Sequence, residues 1–407
     1  MSRRRVVQGV VALAAGLAAF AGYRPDAQAG KPSGGGGGTA ADGGYVWYLE
    51  SGAMMRMQAD GSGKTALSVP GTPFNYTLGG ASYSDDFATI DVSRSVHGAA
   101  NDRWLLYVLP IGDGLTSPAG VPHHEVFAVR ERDGARVQMT DGTVLEAGVR
   151  RIAVEPDIVR PSGNPTSFTV VADPTFSRSG SGEDGRVTYF ARAWTSSGFP
   201  TDPGLYGVEV NLSAGTTTLT PTLLTSAGMS FWRYSGPLPW TTWTSATTCE
   251  ISGTHDWSSD GRTVVWECRS TGGISTTTWD SQGNPATTFL RSVVGMAYPQ
   301  VNPANGKIVY FGYDATVAKK DVRTMNADGS SETVLVAAPA SSGKTTPGLW
   351  PPVWSPAGTW VAYGSWSRSL TSGTLKSDVL QIPAGGGSTT NPTSSGSDFA
   401  EPIAWRN

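Results

Sequence analysis

Short stretches of alternating apolar and polar residues recur along this chain, each broken by a glycine turn. MQADGSGKTALS (57–68) matches MNADGSSETVLV (325–336) almost position for position. In each, an alternating segment runs into Asp-Gly and then into a β-rich run. Asp-Gly between alternating strands is a strong hairpin signal, because a tight turn needs positive φ. AVRERDGARVQMT, VEVNLSAGTTTLT, TTWDSQGNPATTFL and LQIPAGGGSTTNPT are weaker copies, so six hairpins are predicted. The Gly-Lys-Thr runs at 63–65 and 343–345 also suggest a phosphate loop. Gln58 and Ala338 stand where that loop's first glycine belongs, and no helical pattern follows either run. Both therefore read as turns.

A second element alternates with the hairpins. HDWSSDGRTVVWEC (255–268), QVNPANGKIVYFG (300–312) and PVWSPAGTWVAYG (352–364) share an apolar or aromatic residue, Ser or Asn, often Pro, a glycine turn and an apolar strand. One copy of each element makes a four-stranded unit. Such units at a spacing of roughly 40 to 50 residues are the mark of propeller blades. WSPAGTWVAYGS and MNADGSSETVL resemble the blade repeat of TolB-like six-bladed β-propellers. The usual form of that repeat is P-x-W-S-P-D-G-x-x-I-A-F followed by Y-x-M-x-A-D-G-S. The resemblance is clear over 250–407 and 44–68 and faint over 85–225, where insertions obscure the blades.

The expected fold is all-β: a six-bladed propeller of four-stranded antiparallel blades spanning 44–407. The blades fall at 399–407 with 44–68, about 85–142, about 150–224, 250–290, 297–336 and 350–390. FAEPIAWRN and GGYVWYLES are expected to share the first blade, so that pairing of the two ends closes the ring and removes open sheet edges.

Composition agrees. Charged residues make up 15% of the 407, Gly numbers 52 and Trp 14, which favours strands and turns over helices. The first 29 residues are set apart. Arg3-Arg4-Arg5 precedes an apolar stretch from Val6 to Gly22, and Ala27-Gln28-Ala29 fits a small-x-small cleavage site. This predicts a signal peptide, read by the Sec or the twin-arginine route, and a periplasmic or secreted protein. The stretch is too short and too rich in Ala and Gly for a membrane span. Residues 30–43 read as a flexible Gly-rich tether. Removing 1–29 takes four arginines and one aspartate, so the remainder is more acidic than the formal −3 of the whole chain. That argues against nucleic acid, which needs a basic footprint.

Cys249 and Cys268 flank the Ser259-Asp260-Gly261 turn. In an oxidising compartment they are expected to form a disulfide, contributing about 3 kcal/mol on the entropic model, with two buried thiols as the alternative.

Loops entering the innermost strands line one mouth of a propeller channel. Blade alignment places Asp86, His255, Tyr298, Trp350 and Glu401 there as candidate binding residues. Ordinary loop and packing roles are the alternative for each. His123-His124-Glu125 offers metal-ligand types, but neighbours on a strand face opposite ways. No calcium-loop motif is present, so no cofactor is expected, although a channel cation such as calcium suits the carbonyls and carboxylates of such a fold. No G-x-S-x-G elbow occurs. Peptidases with similar propellers add a hydrolase domain, for which no residues remain here. The aromatics of FWRYSGPLPWTTW (231–243) are read as a loop before blade four.

Two functions follow. The first is an exported, non-enzymatic, monomeric module binding an envelope protein or peptide through one face and the channel mouth. The resemblance implies periplasmic protein interaction. It does not carry the Tol–Pal role, because no counterpart of TolB's small α/β domain precedes the blades. The second is a polysaccharide lyase or hydrolase working in the channel, with His255 and Glu401 as its seeds and carbohydrate as its partner.

Overall fold

The computed structural model describes residues 43–407 except 51–52, 68–74, 79–80, 85–90, 96–102, 111–123, 140–144, 147–148, 151–166, 180–181, 196–203, 218–221, 226–230, 235–242, 247–251, 269–272, 294–296, 318, 339–345, 348–350, 369–374 and 394–399. The leader and the tether, apart from Gly43, therefore lie outside the described residues.

The described secondary structure is all β, arranged as six antiparallel blades. Blade 1 runs outward from Ala400–Arg406 through Tyr45–Glu50 and Ala53–Gln58 to Thr65–Ala66. This is the expected closure: Tyr45 pairs with Arg406 and Trp47 with Ala404. The pairing is tight, since a Cβ on Gly44 would meet the Arg406 carbonyl oxygen at 2.4 Å. Blade 2 begins at Asp91–Val92, blade 3 at Ser167–Ser179, blade 4 at Ser252–Trp257, blade 5 at Gln300–Val301 and blade 6 at Val353–Trp354. The fourth position of blade 6 is a single bridge, Gln381 to Thr390. The innermost strands contact one another in cyclic order, each touching the next around the ring.

Strand periodicity explains the near-continuous apolar runs. Successive side chains point to opposite faces, and each face of a blade packs on a neighbour. In Tyr45–Glu50, Trp47 and Leu49 join a core with Val92 and Leu105 of blade 2. Val46 and Tyr48 join another with Val353 and Ala362 of blade 6. Ile308 and Tyr310 face blade 4, while Val309 and Phe311 face blade 6. Full burial of such side chains stabilises by about 1.5–3 kcal/mol each, so the core is a ring of inter-blade wedges.

The outer hairpins form where expected. Asp60 and Asp328 each accept the amide two residues on, from Ser62 at 2.8 Å and Ser330 at 2.9 Å. The intervening Gly61 and Gly329 take φ of +83°.

One expectation is corrected. Phe231–Tyr234 and Trp243–Ala246 pair as a two-stranded hairpin, not a loop. The two prolines, at 237 and 239, fall between the two strands in sequence and lie outside the described residues. Asn75–Leu78 with Ala81–Ser84, and Leu145–Glu146 with Val149–Arg150, are further hairpins between blades.

Candidate functional site

The leaving ends of the six innermost strands converge on one cavity of about 150 Å³, to which every blade contributes at least one residue. The strands superpose on an apolar anchor: Trp405, Val92, Phe176, Trp257, Val301 and Trp354 in blades 1 to 6. These anchors are buried, except Val301, which is half-buried.

Two aspartates one residue before their anchors stitch the ring. In blade 2, Asp91 Oδ2 accepts the Phe176 amide of blade 3 at 3.0 Å and the Thr175 hydroxyl at 2.8 Å. Its Oδ1 accepts its neighbour's amide, Val92, at 2.8 Å. In blade 4, Asp256 repeats the pattern, with Oδ2 on the Val301 amide of blade 5 and Oδ1 on the Trp257 amide, both 2.8 Å. Each carboxylate also holds an arginine from an earlier blade. Arg406 Nη2 lies 3.0 Å from Asp91, and Arg94 Nη2 lies 2.6 Å from Asp256. Each arginine reaches a strand carbonyl as well, Arg406 to Val92 and Arg94 to Phe176. Burial pushes the Asp256 carboxyl up, while Arg94 and the Val301 amide pull it back.

The candidates from sequence lie toward the entering ends. His255 is 3% exposed, its Nε2 2.9 Å from the Thr188 hydroxyl, which also accepts the Trp257 indole N–H at 2.9 Å. Burial, then the nearby Arg94 charge, lowers its pKa to about 3, so the imidazole is neutral at physiological pH. Tyr298 is buried and has φ of +50°, in the left-handed region. Glu267 secures that turn by accepting the Ala297 amide at 2.9 Å and the Tyr298 amide at 2.7 Å. Lys320 Nζ lies 5.6 Å from the Tyr298 ring centre and 5.3 Å from that of Phe311. Burial lowers the Lys320 pKa, opposed by the charges of Glu267 and Glu401. Glu401 is wholly buried against Gly364, where an added Cβ would meet its Oε2 at 1.8 Å. Lys320 thus lies near the Tyr298 ring and within the electrostatic reach of Glu401, while His255 packs against blade 3. Asp86, Trp350 and Cys249 lie outside the described residues. Among the described backbone, Cys268 pairs with Ser252 and Gly273.

Sequence reasoning missed Arg94, Arg178, Arg406 and Lys320, and read Asp256 only as the neighbour of His255 in a candidate general-base pair. A signal for the first two was present: DVSRS (91–95) and TFSRS (175–179) are the same motif in adjacent blades. Among the described residues no group of three or more His, Cys, Asp or Glu is placed to hold a metal ion. No helix there is long and apolar enough to cross a membrane.

These features define a six-bladed β-propeller with a polar, charged channel mouth, the architecture expected of a TolB-like propeller. No known family profile matches the chain, and no curated relative does. Among solved structures, it is similar to a protein described as a TolB from Agrobacterium tumefaciens (13% identity, 89% of this chain and 91% of that one, TM-score 0.42). It is also similar to TolB from Acinetobacter baumannii (14%, 89% and 66%, TM-score 0.45) and to an oligogalacturonate lyase in complex with manganese (11%, 86% and 72%, TM-score 0.40). The six-bladed assignment stands on the chain's own strand pairing.

Proposed function

We propose that this protein is an exported, non-enzymatic propeller that binds a protein or peptide at its channel mouth. The observation that carries this reading is the cavity built by all six blades, whose strands are tied together by the buried hydrogen bonds of Asp91 and Asp256. A site fixed before binding loses little ordering entropy when a ligand arrives, and a rigid disc carrying variable loops suits recognition. Export is supported by the basic, apolar and small-residue segments of 1–29. It places the partner among envelope or extracellular proteins, and makes a Cys249–Cys268 disulfide the expected state of the two thiols.

A thermal-shift screen tests the reading. The panel holds envelope protein fractions, oligosaccharides and divalent metals. A ligand at 100 times its Kd adds about 2.7 kcal/mol. Stabilisation by a protein fraction, lost on protease treatment of that fraction, supports the proposal. Stabilisation by an oligosaccharide that is then cleaved replaces it with an enzyme of the channel.

A further inference from the structure

The six blades do not contribute equally to the cavity. One or two residues past the anchors stand Arg406, Arg94 and Arg178 in blades 1 to 3, and Ser259, Pro303 and Pro356 in blades 4 to 6. The arginines occupy three consecutive blades, so the mouth has a cationic arc facing a neutral arc of Ser and Pro.

The three cations are not equivalent. Arg406 is paired with Asp91 and Arg94 with Asp256, so each of those charges is compensated. Arg178 is exposed and has no hydrogen-bond or ion-pair partner among the described residues. Counting side chains, the wall therefore carries one guanidinium in excess, presented to a cavity whose only described side-chain carboxylate is the engaged Asp256; Asn407 also lines it, its main-chain oxygen accepting from Arg103. The space corresponds to the share of about five waters at roughly 30 Å³ each. That suits one acidic side chain better than a folded segment. A guanidinium offers paired donors in a planar fork that matches a carboxylate, and charge-assisted bonds of this kind are the strong ones.

We propose that the arc of blades 1 to 3 is a carboxylate subsite, in which Arg178, flanked by Arg94 and Arg406, takes an Asp or Glu side chain of the peptide ligand. The prolines and the edge of Trp354 face the ligand's apolar parts. This rests on the peptide-binding reading above and adds a specificity to it.

The test uses the full chain and two peptides, Ac-Gly-Pro-Glu-Pro-Gly-NH2 and its Gln counterpart, with glutarate and glutaramide as small probes. Ionic strength is held constant. Binding is read from tryptophan fluorescence, because Trp257, Trp354 and Trp405 line the cavity. The expected result is at least tenfold tighter binding of the Glu peptide, with Arg178→Gln bringing the two peptides within about twofold. Arg178→Lys keeps part of the preference, since it keeps the charge but loses the fork. The side chain is exposed and unpartnered, so both variants should keep the wild-type melting temperature. Equal binding of the two peptides overturns the subsite and leaves peptide recognition standing. Glutarate binding that is lost in Arg178→Gln, with neither peptide bound, supports the carboxylate site and overturns peptide recognition. A Glu preference that survives Arg178→Gln overturns the role of Arg178.

Discussion

Blade 2 and blade 4 close their first turn with the same hydrogen bonds over very different lengths of chain. In blade 4, Ser258 N donates to the Thr263 carbonyl at 2.8 Å, and Thr263 N returns to the Ser258 hydroxyl at 2.9 Å. In blade 2, Ser93 N donates to the Trp104 carbonyl at 2.9 Å, and Trp104 N returns to the Ser93 hydroxyl at 3.1 Å. The first clasp encloses a tight turn and the second a long insertion. Loop-closure entropy grows only slowly with length, so a two-bond clasp accommodates either. Blade 2 is thus as regular at its clasp as blade 4, and what differs is the length of chain carried between the strands.

The severest way to break the likeness is through the carboxylates behind the clasps. Asp256→Ala removes the acceptor of two strand amides and leaves Arg94 without its buried counter-charge. It should cost about 3–5 kcal/mol, read by urea unfolding. Asp91→Ala should cost a similar amount, because its bonds are the same set in blade 2. A loss under about 1 kcal/mol for either would show that the inter-blade stitch is not a shared device.

Glycines at equivalent turns come next. Gly358 has φ of +70°, and a Cβ there would meet Asn302 Oδ1 at 2.1 Å. Gly306 has φ of +74° but open space around it. Gly358→Ala adds overpacking to backbone strain and should cost about 3 kcal/mol, while Gly306→Ala carries the strain alone, about 1 kcal/mol. Equal losses would mean that Asn302 moves aside freely.

His255 makes the stability of blade 4 depend on pH. Its folded pKa lies below the unfolded value near 6.5, so the unfolded chain takes up the proton first as pH falls. Its contribution to stability is complete above about pH 6.5 and is lost progressively down to about pH 3. At pH 5 the loss is about 2 kcal/mol. His255→Gln should flatten that part of the stability curve relative to wild type. A profile with the same slope between pH 6.5 and 5 in both proteins would remove His255 as the cause.

How much of this was legible beforehand follows from the same likeness. Residues 255–268, 300–312 and 352–364 carry anchor, Ser or Asn, glycine turn and strand without interruption, so three blades and the ring closure could be read directly. In DVSRS the anchor and clasp serine are present, but Trp104 follows only after an insertion, and the pattern dissolves. The channel cations were hidden for another reason. A propeller site assembles from single residues of six blades, and Arg94, Arg178 and Arg406 are far apart in sequence. The fold brings them to one cavity, one or two residues past the anchors of consecutive blades. The entering loops point to His255 and Glu401, whereas the described cavity is built from the residues that follow the anchors.

The mildest prediction tests the clasp itself. Ser258→Ala and Ser93→Ala each remove one hydroxyl acceptor while leaving the backbone bond of the clasp in place. A neutral hydrogen bond contributes about 1 kcal/mol net, with a further cost if a buried amide is left unmade. The Trp104 amide is buried and the Thr263 side of the clasp is half-buried. Water can therefore replace the lost acceptor more readily in blade 4. Ser93→Ala should cost about 1–2 kcal/mol and Ser258→Ala about 1 kcal/mol or less, by urea unfolding of the two variants side by side. The reverse order would mean that the long insertion of blade 2 supplies the Trp104 amide with another acceptor, and that blade 2 depends on its own loop where blade 4 depends on serine.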